Sequence, residues 1–447
     1  MAGTRLSPWT MSYFAIAIAW LIAAEALMSF GFGFPAADLA SPDTLVLVHI
    51  VCIGWLSMAM CGALFQFVPV LVGKPLFDER WEMPALALLT AGLAALLAGF
   101  LSLGGRLPVG LWLLPVGAAL LAAGFALVLL DLGLTIWRAR PPVGPAHFVF
   151  AGLIFLAATV TLGSVFAWSL SGHGGKALDT VLASAVPLHA TAGLGGWLTL
   201  TAMGVSYRLL SMFMLAPEVD GRSSRLTLGL GAAAIGVAVA GGLLAIAVET
   251  GLPIVLGAAA ALSLAALALY GRDVVGLYRN RRRRRLELNT RMAAYGIASL
   301  VAAALLGIAL TAVGSFAGHV GAFAFMVAFG WLSGLVLAKL YKIVAFLTWL
   351  ETYGPVMGRV PTPRVQDLVA EARASKWFAV YFACVWGSTA GLLVNQALVF
   401  RGINVVMLIA TVGIVQELIR TRQLSDVAGP LRLPDGTQAP RLLYSRN

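Results

Sequence analysis

Charge is what this chain has least of. Only 11% of its 447 residues are Asp, Glu, Lys or Arg, where a soluble domain carries about 25%. That is too little polar surface to dissolve a chain of this length, and it excludes a separate soluble domain of any size. Cysteine is scarce too: Cys52, Cys61 and Cys384 are the full set of three. None belongs to a CxxC pair, which excludes a zinc ribbon, and all fall in apolar runs, which argues against a disulfide framework. There are five histidines and no phosphate-binding loop, Rossmann fingerprint or Ser-His-Asp pattern. The glycine cluster GLGGWL at 193–198 lies inside an apolar run, the wrong context for a phosphate cradle.

What fills the chain is apolar: 60% of residues are hydrophobic and the mean hydropathy is +0.92. Runs of roughly 20 apolar residues read as membrane-crossing helices, because only a helix satisfies its own backbone within so short a segment in lipid. Twelve such runs lie near 9–31, 44–72, 84–104, 108–136, 147–171, 181–213, 226–248, 252–278, 291–313, 316–349, 377–398 and 402–420. The sequence therefore predicts an all-α polytopic membrane protein of about twelve helices, with a membrane domain over 1–420 and a loose, basic, Pro-rich tail over 421–447. The boundary between the ninth and tenth runs is weakly marked, since TAVGSFAGHVGAF is apolar throughout.

Basic residues set the expected orientation. With the N-terminus in the cytoplasm, the external connections hold Arg106, Lys176 and Arg401, and the other basic residues among the 30 fall on the cytoplasmic side or at helix ends facing it. That is the positive-inside asymmetry of a bacterial-type inner membrane protein with both termini cytoplasmic. The +11 net charge is then no sign of nucleic acid; RNRRRRRLE at 279–287 reads as a topology anchor facing anionic lipid. The first run ends in SFGFGF without a small-residue cleavage pattern and reads as a retained helix rather than a signal peptide.

One pattern occurs three times: GWLSMAMCGALFQFVPVL (54–71), GWLTLTAMGVSYRLLSMF (196–213) and GWLSGLVLAKLYKIVAFL (330–347). Each opens Gly-Trp-Leu-Ser/Thr. Ten residues after each Trp stands an aromatic (Phe65, Tyr207, Tyr341), then a polar residue (Gln66, Arg208, Lys342). The Trp residues are 142 and 134 positions apart, which places the pattern on helices 2, 6 and 10. The chain reads as three four-helix repeats, about 9–138, 147–278 and 291–420, around a pseudo-threefold axis. Each Gly admits a neighbouring helix, and Arg208 and Lys342 stand where they can snorkel to the interface.

Twelve helices in a three-by-four arrangement, with histidines on helices 2, 6 and 10, resemble subunit I of the haem–copper oxidase superfamily, in particular the C-type oxidases and the nitric oxide reductase large subunit. PLHATAGLGGWLTLTAMGVSYRLL (187–210) resembles the family's helix 6, which supplies a copper-ligating His. HIVCIGW (49–55) resembles helix 2, which supplies a ligand to the low-spin haem. The departures matter as much. The family's helix 7 carries an adjacent His pair, whereas LTLGLGAAAIGVAVAGGLLAIAVE (226–249) has no His. The family's helix 10 carries His-x-His where this chain has Phe323 and Phe325. The resemblance thus implies a haem-binding relative in respiratory electron transfer or gas and redox handling without a complete binuclear centre. It speaks against oxygen or nitric oxide reduction, and implies one haem b and a c-type cytochrome or other redox subunit as partner.

His49, His189 and His319 occupy the outer parts of helices 2, 6 and 10, and ionisable residues in spans usually face a bundle interior. Measured from the Trp landmarks they stand six, eight and twelve residues out. His49 is thus level with His189 to about 3 Å but offset from His319 by about 9 Å at 1.5 Å per residue. The family's low-spin haem uses helices 2 and 10, so His49–His319 is the inherited pair, while His49–His189 matches better in depth; both stay open. Glu25, near the depth of His49, reads as a metal ligand, a proton carrier, a partner of His49, or simply a hydrogen bond to a neighbouring helix. A second class of function comes from soft donors: His49 and Cys52 share a helix face, and with His189 they suit copper. The third alternative is a cofactor-free scaffold or transporter. His147 and His173 read as solvated, Asp131 and Glu417 as interfacial, and Asn395 and Gln396 as lining the same outer cavity.

Overall fold

A computed structural model describes residues 7–139 and 144–444. Among the described residues there are helices and no strands. Eleven helices are long and apolar enough to cross a membrane: α1 Thr10–Phe30, α2 Pro42–Val72, α3 Glu79–Leu103, α4 Leu113–Arg138, α5 Gly144–His173, α6 Leu178–Met214, α7 Gly221–Ala247, α8 Leu252–Arg279, α9 Leu288–Ala312, α10 Phe316–Val356 and α12 Ala397–Arg422. The remaining expected span is α11, Glu371–Leu393, whose first turns carry Glu371, Arg373 and Lys376. The fold is that of an all-α polytopic membrane protein. The weakly marked boundary between α9 and α10 is made by the backbone: Gly314 adopts φ 68°, a conformation glycine enters without strain, and the chain restarts as a helix at Phe316.

The three Gly-Trp segments share a local structure that residue types alone do not announce. Each lies in a π-helical stretch, Ile50–Ser57, Thr191–Leu200 and Met326–Ser333. A π turn shifts the backbone bonds by one residue and is usually found at special sites within α-helices. The serine two places after the Trp reaches back five residues. Ser57 Oγ donates to Cys52 O at 2.7 Å, and Ser333 Oγ donates to Ala328 O, also at 2.7 Å. In the first and third copies the serine thus supports the widened turn by bonding a carbonyl within it. Trp55, Trp197 and Trp331 are all fully buried.

Two compact units divide the chain. The first takes the described residues up to Gln66 and from Glu287 onward; the second runs from Phe67 to Leu286. In the first unit α1 packs on α12 and on the π stretch of α2, α9 on α10, and α11 on α12. Gly62 lets α1 in so closely that a Cβ there would meet Tyr13 Cβ at 2.5 Å, and the Tyr13 ring stands edge-on to Phe65 at 5.5 Å. In the second unit the repeat-equivalent Gly204 receives Phe148 of α5 (2.3 Å), whose ring stands edge-on to Tyr207 at 5.6 Å. The same contact is built twice from the same two positions of the repeat. In the third copy Ala338 replaces the glycine, and Tyr341 meets Phe378 of α11 instead.

Several polar expectations change. Asp131 is fully buried within the protein: its Oδ1 accepts the Asp78 N–H at 3.0 Å, and Thr135 Oγ1 accepts that of Phe77 at 2.9 Å, so α4 caps the connection after α2. Glu417 is buried and bound by Arg373, whose Nη2 lies 2.7 Å from Oε2. Lys342 pairs with Glu287 at 2.7 Å, and Arg208 pairs with Glu218, so both bases have a carboxylate partner beyond any snorkelling. Asn395 and Gln396 form the exposed turn between α11 and α12, Asn395 with φ 54°.

The described part of the tail is not loose. Leu424 and Val427 pack with Tyr353 and Leu368, Tyr353 Oη donates to Arg432 O at 2.8 Å, and Tyr444 stands edge-on to Trp9 at 5.2 Å. Asp426 anchors this strap. Burial pushes its carboxyl up, but hydrogen bonds from Arg373 and Arg420 outweigh that and hold it below the usual carboxylate range. A lowered folded value means the contribution is complete near neutral pH and is lost as pH falls through it, below about 4. Asp426→Asn is expected to weaken tail docking by about 1 kcal/mol, because the arginines are half exposed and screened. Faster tryptic cleavage after Arg432 and Arg441 at neutral pH would register it.

Candidate functional site

His49 closes the α-helical start of α2, immediately before the π stretch. It is half-buried, and its Nδ1 lies 2.7 Å from Leu45 O. A carbonyl only accepts, so Nδ1 carries the hydrogen and the neutral ring has its lone pair on Nε2. His319 repeats the arrangement on α10, with Nδ1 3.0 Å from Ser315 O. In both cases the carbonyl is four residues earlier, one helical turn back. This is the outer hydrogen bond that fixes the tautomer of a metal-ligating histidine.

His189 in the second unit is positioned differently. It stands two residues before the π stretch of α6, over Gly163, whose hypothetical Cβ would lie 3.1 Å from His189 Cε1, and edge-on to Phe166 at 5.5 Å. Glycine at 163 is what makes room for the ring. Relative to their π stretches, His49 and His189 hold nearly the same local place, while His319 sits in the first turns of α10, seven residues before Met326. From Phe316 onward α10 continues as one span to Val356, with the π stretch Met326–Ser333 between His319 and most of that length.

The helix 10 positions where the resemblance calls for ligands are filled with rings. Phe325 is buried, stacked on Phe329 at 4.7 Å and edge-on to Phe400 at 5.4 Å. Phe323 packs against Phe316 at 5.5 Å. Cys52 is a free thiol inside the π stretch. There the widened turn removes the stacking that residues three apart have on an α-helix. Among the described residues no group of three or more His, Cys, Asp and Glu is placed to hold a metal ion. His147 and His173 are exposed.

Glu25 is fully buried, and Thr411 Oγ1 of α12 donates to its Oε1 at 2.9 Å. Its bonded partner is therefore α12, not His49. The first unit also holds bonded groups that sequence reasoning missed. Tyr381 of α11 donates to Phe329 O at 2.9 Å, Trp55 Nε1 donates to Ser333 Oγ at 2.8 Å, and Asn404 Nδ2 donates to Ser388 Oγ at 3.3 Å. The Ser/Thr after each Trp was the one sequence signal that pointed here. Thr411, Tyr381 and Asn404 belong to no repeat and carry no spacing cue.

No family model matches this chain, and no curated protein matches it. Among solved structures 29 chains match. One is a haem–copper terminal oxidase, solved as a dimer by cryo-electron microscopy. It is 13% identical with a TM-score of 0.47, over 98% of this chain and 85% of its own length.

Proposed function

We propose that this protein binds one b-type haem through His49 and serves respiratory electron transfer or gas and redox handling, without a complete binuclear centre. The observation that carries the reading is the His49 hydrogen bond to Leu45 O, which turns the metal-binding lone pair to Nε2 at the mouth of a π stretch. Bound there, haem would supply one-electron chemistry, and His49 its axial nitrogen. His319 has the same tautomer, but by sequence count from the Trp landmarks it stands about 9 Å further out than His49, so this reading leaves it out of the second axial position. Phe323 and Phe325 offer no donor atoms, which removes the helix 10 ligands an oxygen-reducing centre needs. Copper alone is less favoured, because the π turn at Cys52 breaks the shared face that the His49–Cys52 pair required. The three repeats, cytoplasmic termini, bacterial inner membrane location and a c-type cytochrome or similar redox partner complete the proposal.

Oxidised and reduced visible spectra of the purified protein, with metal analysis, test it. Wild type is expected to carry haem; His49→Ala is expected to lose it while the chain stays folded, since a methyl group cannot ligate iron. His319→Ala and His147→Ala are expected to keep it. A haem spectrum unchanged in His49→Ala, or its loss in His319→Ala, refutes the assignment. Wild-type protein with copper and no haem would favour the copper reading, and neither cofactor would favour a scaffold.

A further inference from the structure

Among the buried oxygens of the first unit without a hydrogen-bond partner among the described residues are Glu25 Oε2 and Asn404 Oδ1. Both side chains are fully buried, and buried polar atoms in native proteins are nearly always satisfied, by protein or by water. They lie along the same seam. Glu25 of α1 meets Thr411 of α12, and Asn404 is seven residues from Thr411 on that helix, about two turns or 10 Å nearer the α11–α12 turn. Asn404 is tied to Ser388 of α11, and Ser388 is one turn beyond Cys384.

The charge balance around Glu25 decides what it can be. An ionised carboxylate offers about four acceptor sites, and here one donor, Thr411 Oγ1, serves it. No basic side chain among the described residues is bonded to it. On α11 the titratable groups within its electrostatic reach are Tyr381 and Cys384, neither of which can supply a positive charge. On α12 the nearest titratable group is Glu417, six residues past Thr411 and already bound by Arg373. The titratable groups that α2 carries along this stretch are His49, Cys52 and Cys61. Taking an uncompensated anion out of water is costly, whereas a neutral acid carries no buried charge and leaves only its O–H to be satisfied, which a water would do. Oε1 then accepts from Thr411 as a carbonyl oxygen, and Oε2 bears the O–H.

We propose that Glu25 is a proton-binding site within the membrane domain, its Oε2 carrying the acid proton, and that Asn404 with Ser388 forms a hydrated step through which that proton exchanges with the α11–α12 side. Asn404 Oδ1 is the acceptor that a water in this step would use. Nothing here depends on haem, so the site stands or falls separately from the reading above.

Infrared spectroscopy of the full chain in lipid nanodiscs tests it, by following the carbonyl stretch of protonated carboxylic acids at neutral pH. Wild type is expected to show one such band that Glu25→Gln lacks. Thr411→Val is expected to move the band to higher frequency, because the carbonyl loses its hydrogen bond. Asn404→Leu is expected to keep the band but slow its shift after transfer to D2O. If Glu25→Gln fails to fold, Glu25→Asp serves instead and should displace the band. Identical acid bands in folded wild type and either Glu25 variant overturn the proton site. Exchange as fast in Asn404→Leu as in wild type overturns the hydrated step.

Discussion

Glu351→Ala is expected to destabilise the protein by about 3 kcal/mol, in the range found when one partner of a buried ion pair is removed. Glu351 and Arg422 each leave only 4% of their side-chain surface exposed, and Arg422 Nη2 lies 2.9 Å from Glu351 Oε2. The same guanidinium donates to Thr348 Oγ1 at 3.0 Å and to Arg441 O of the tail. Those neutral acceptors remain when the carboxylate is gone, which puts the expected loss at the lower end of the range, but they cannot balance the charge. Thermal and denaturant unfolding in detergent measures the cost. Replacing both partners with apolar residues, Glu351→Leu with Arg422→Met, is expected to recover most of it, because no charge is then left buried. A single variant within 0.5 kcal/mol of wild type, the range of ordinary surface substitutions, would show that this pair is hydrated after all. The pair joins α10 to the end of α12, and through Arg441 it also fastens the tail.

The helices were legible because lipid imposes one rule along the whole chain: an apolar run of the right length must be a helix. That rule located the ends of α1 to α12 to within seven residues but says nothing of the partners of the charges near them. Asp131, Glu417 and Lys342 looked interfacial because sequence shows charge but not the partner that permits burial. Asp78, Arg373 and Glu287 are those partners, and each lies on another part of the chain. The Gly-Trp-Leu-Ser/Thr repeat was legible as a pattern and opaque as a geometry. Nothing in residue types distinguishes a π turn from an α turn until Ser57 and Ser333 are seen reaching back five residues rather than four. The candidate histidines could be found by their rarity in apolar runs. The tautomers of His49 and His319 could not, since they depend on the bonds to Leu45 O and Ser315 O. Glu25 was conspicuous as a lone carboxyl on α1, but its partner Thr411 is 386 positions away, beyond the reach of any local pattern.

Gly117→Ala should be among the most damaging single-methyl changes in the second unit. α3 and α4 meet through two glycines each, spaced seven apart: Gly92 and Gly99 on one, Gly117 and Gly124 on the other. A Cβ on Gly117 would lie 2.5 Å from Leu96 N and 2.9 Å from Gly92 O. Both are backbone atoms, so no side-chain rotation relieves the clash and the helices must separate. In lipid there is no hydrophobic gain to hold them while they do so; close packing is the attraction, and it is what the methyl removes. Overpacking of this kind typically costs 1–3 kcal/mol, and a backbone clash points to about 3 kcal/mol. Gly133→Ala on the same helix supplies the control, since nothing lies within 4 Å of its hypothetical Cβ. There alanine's better helix propensity should leave stability unchanged or raise it by up to about 1 kcal/mol. Unfolding measured side by side separates the two causes. Equal effects at 117 and 133 would mean that helix propensity governs and that the close α3–α4 approach is not maintained in the membrane; a loss confined to Gly117→Ala would mean that the glycine contact itself holds the pair together.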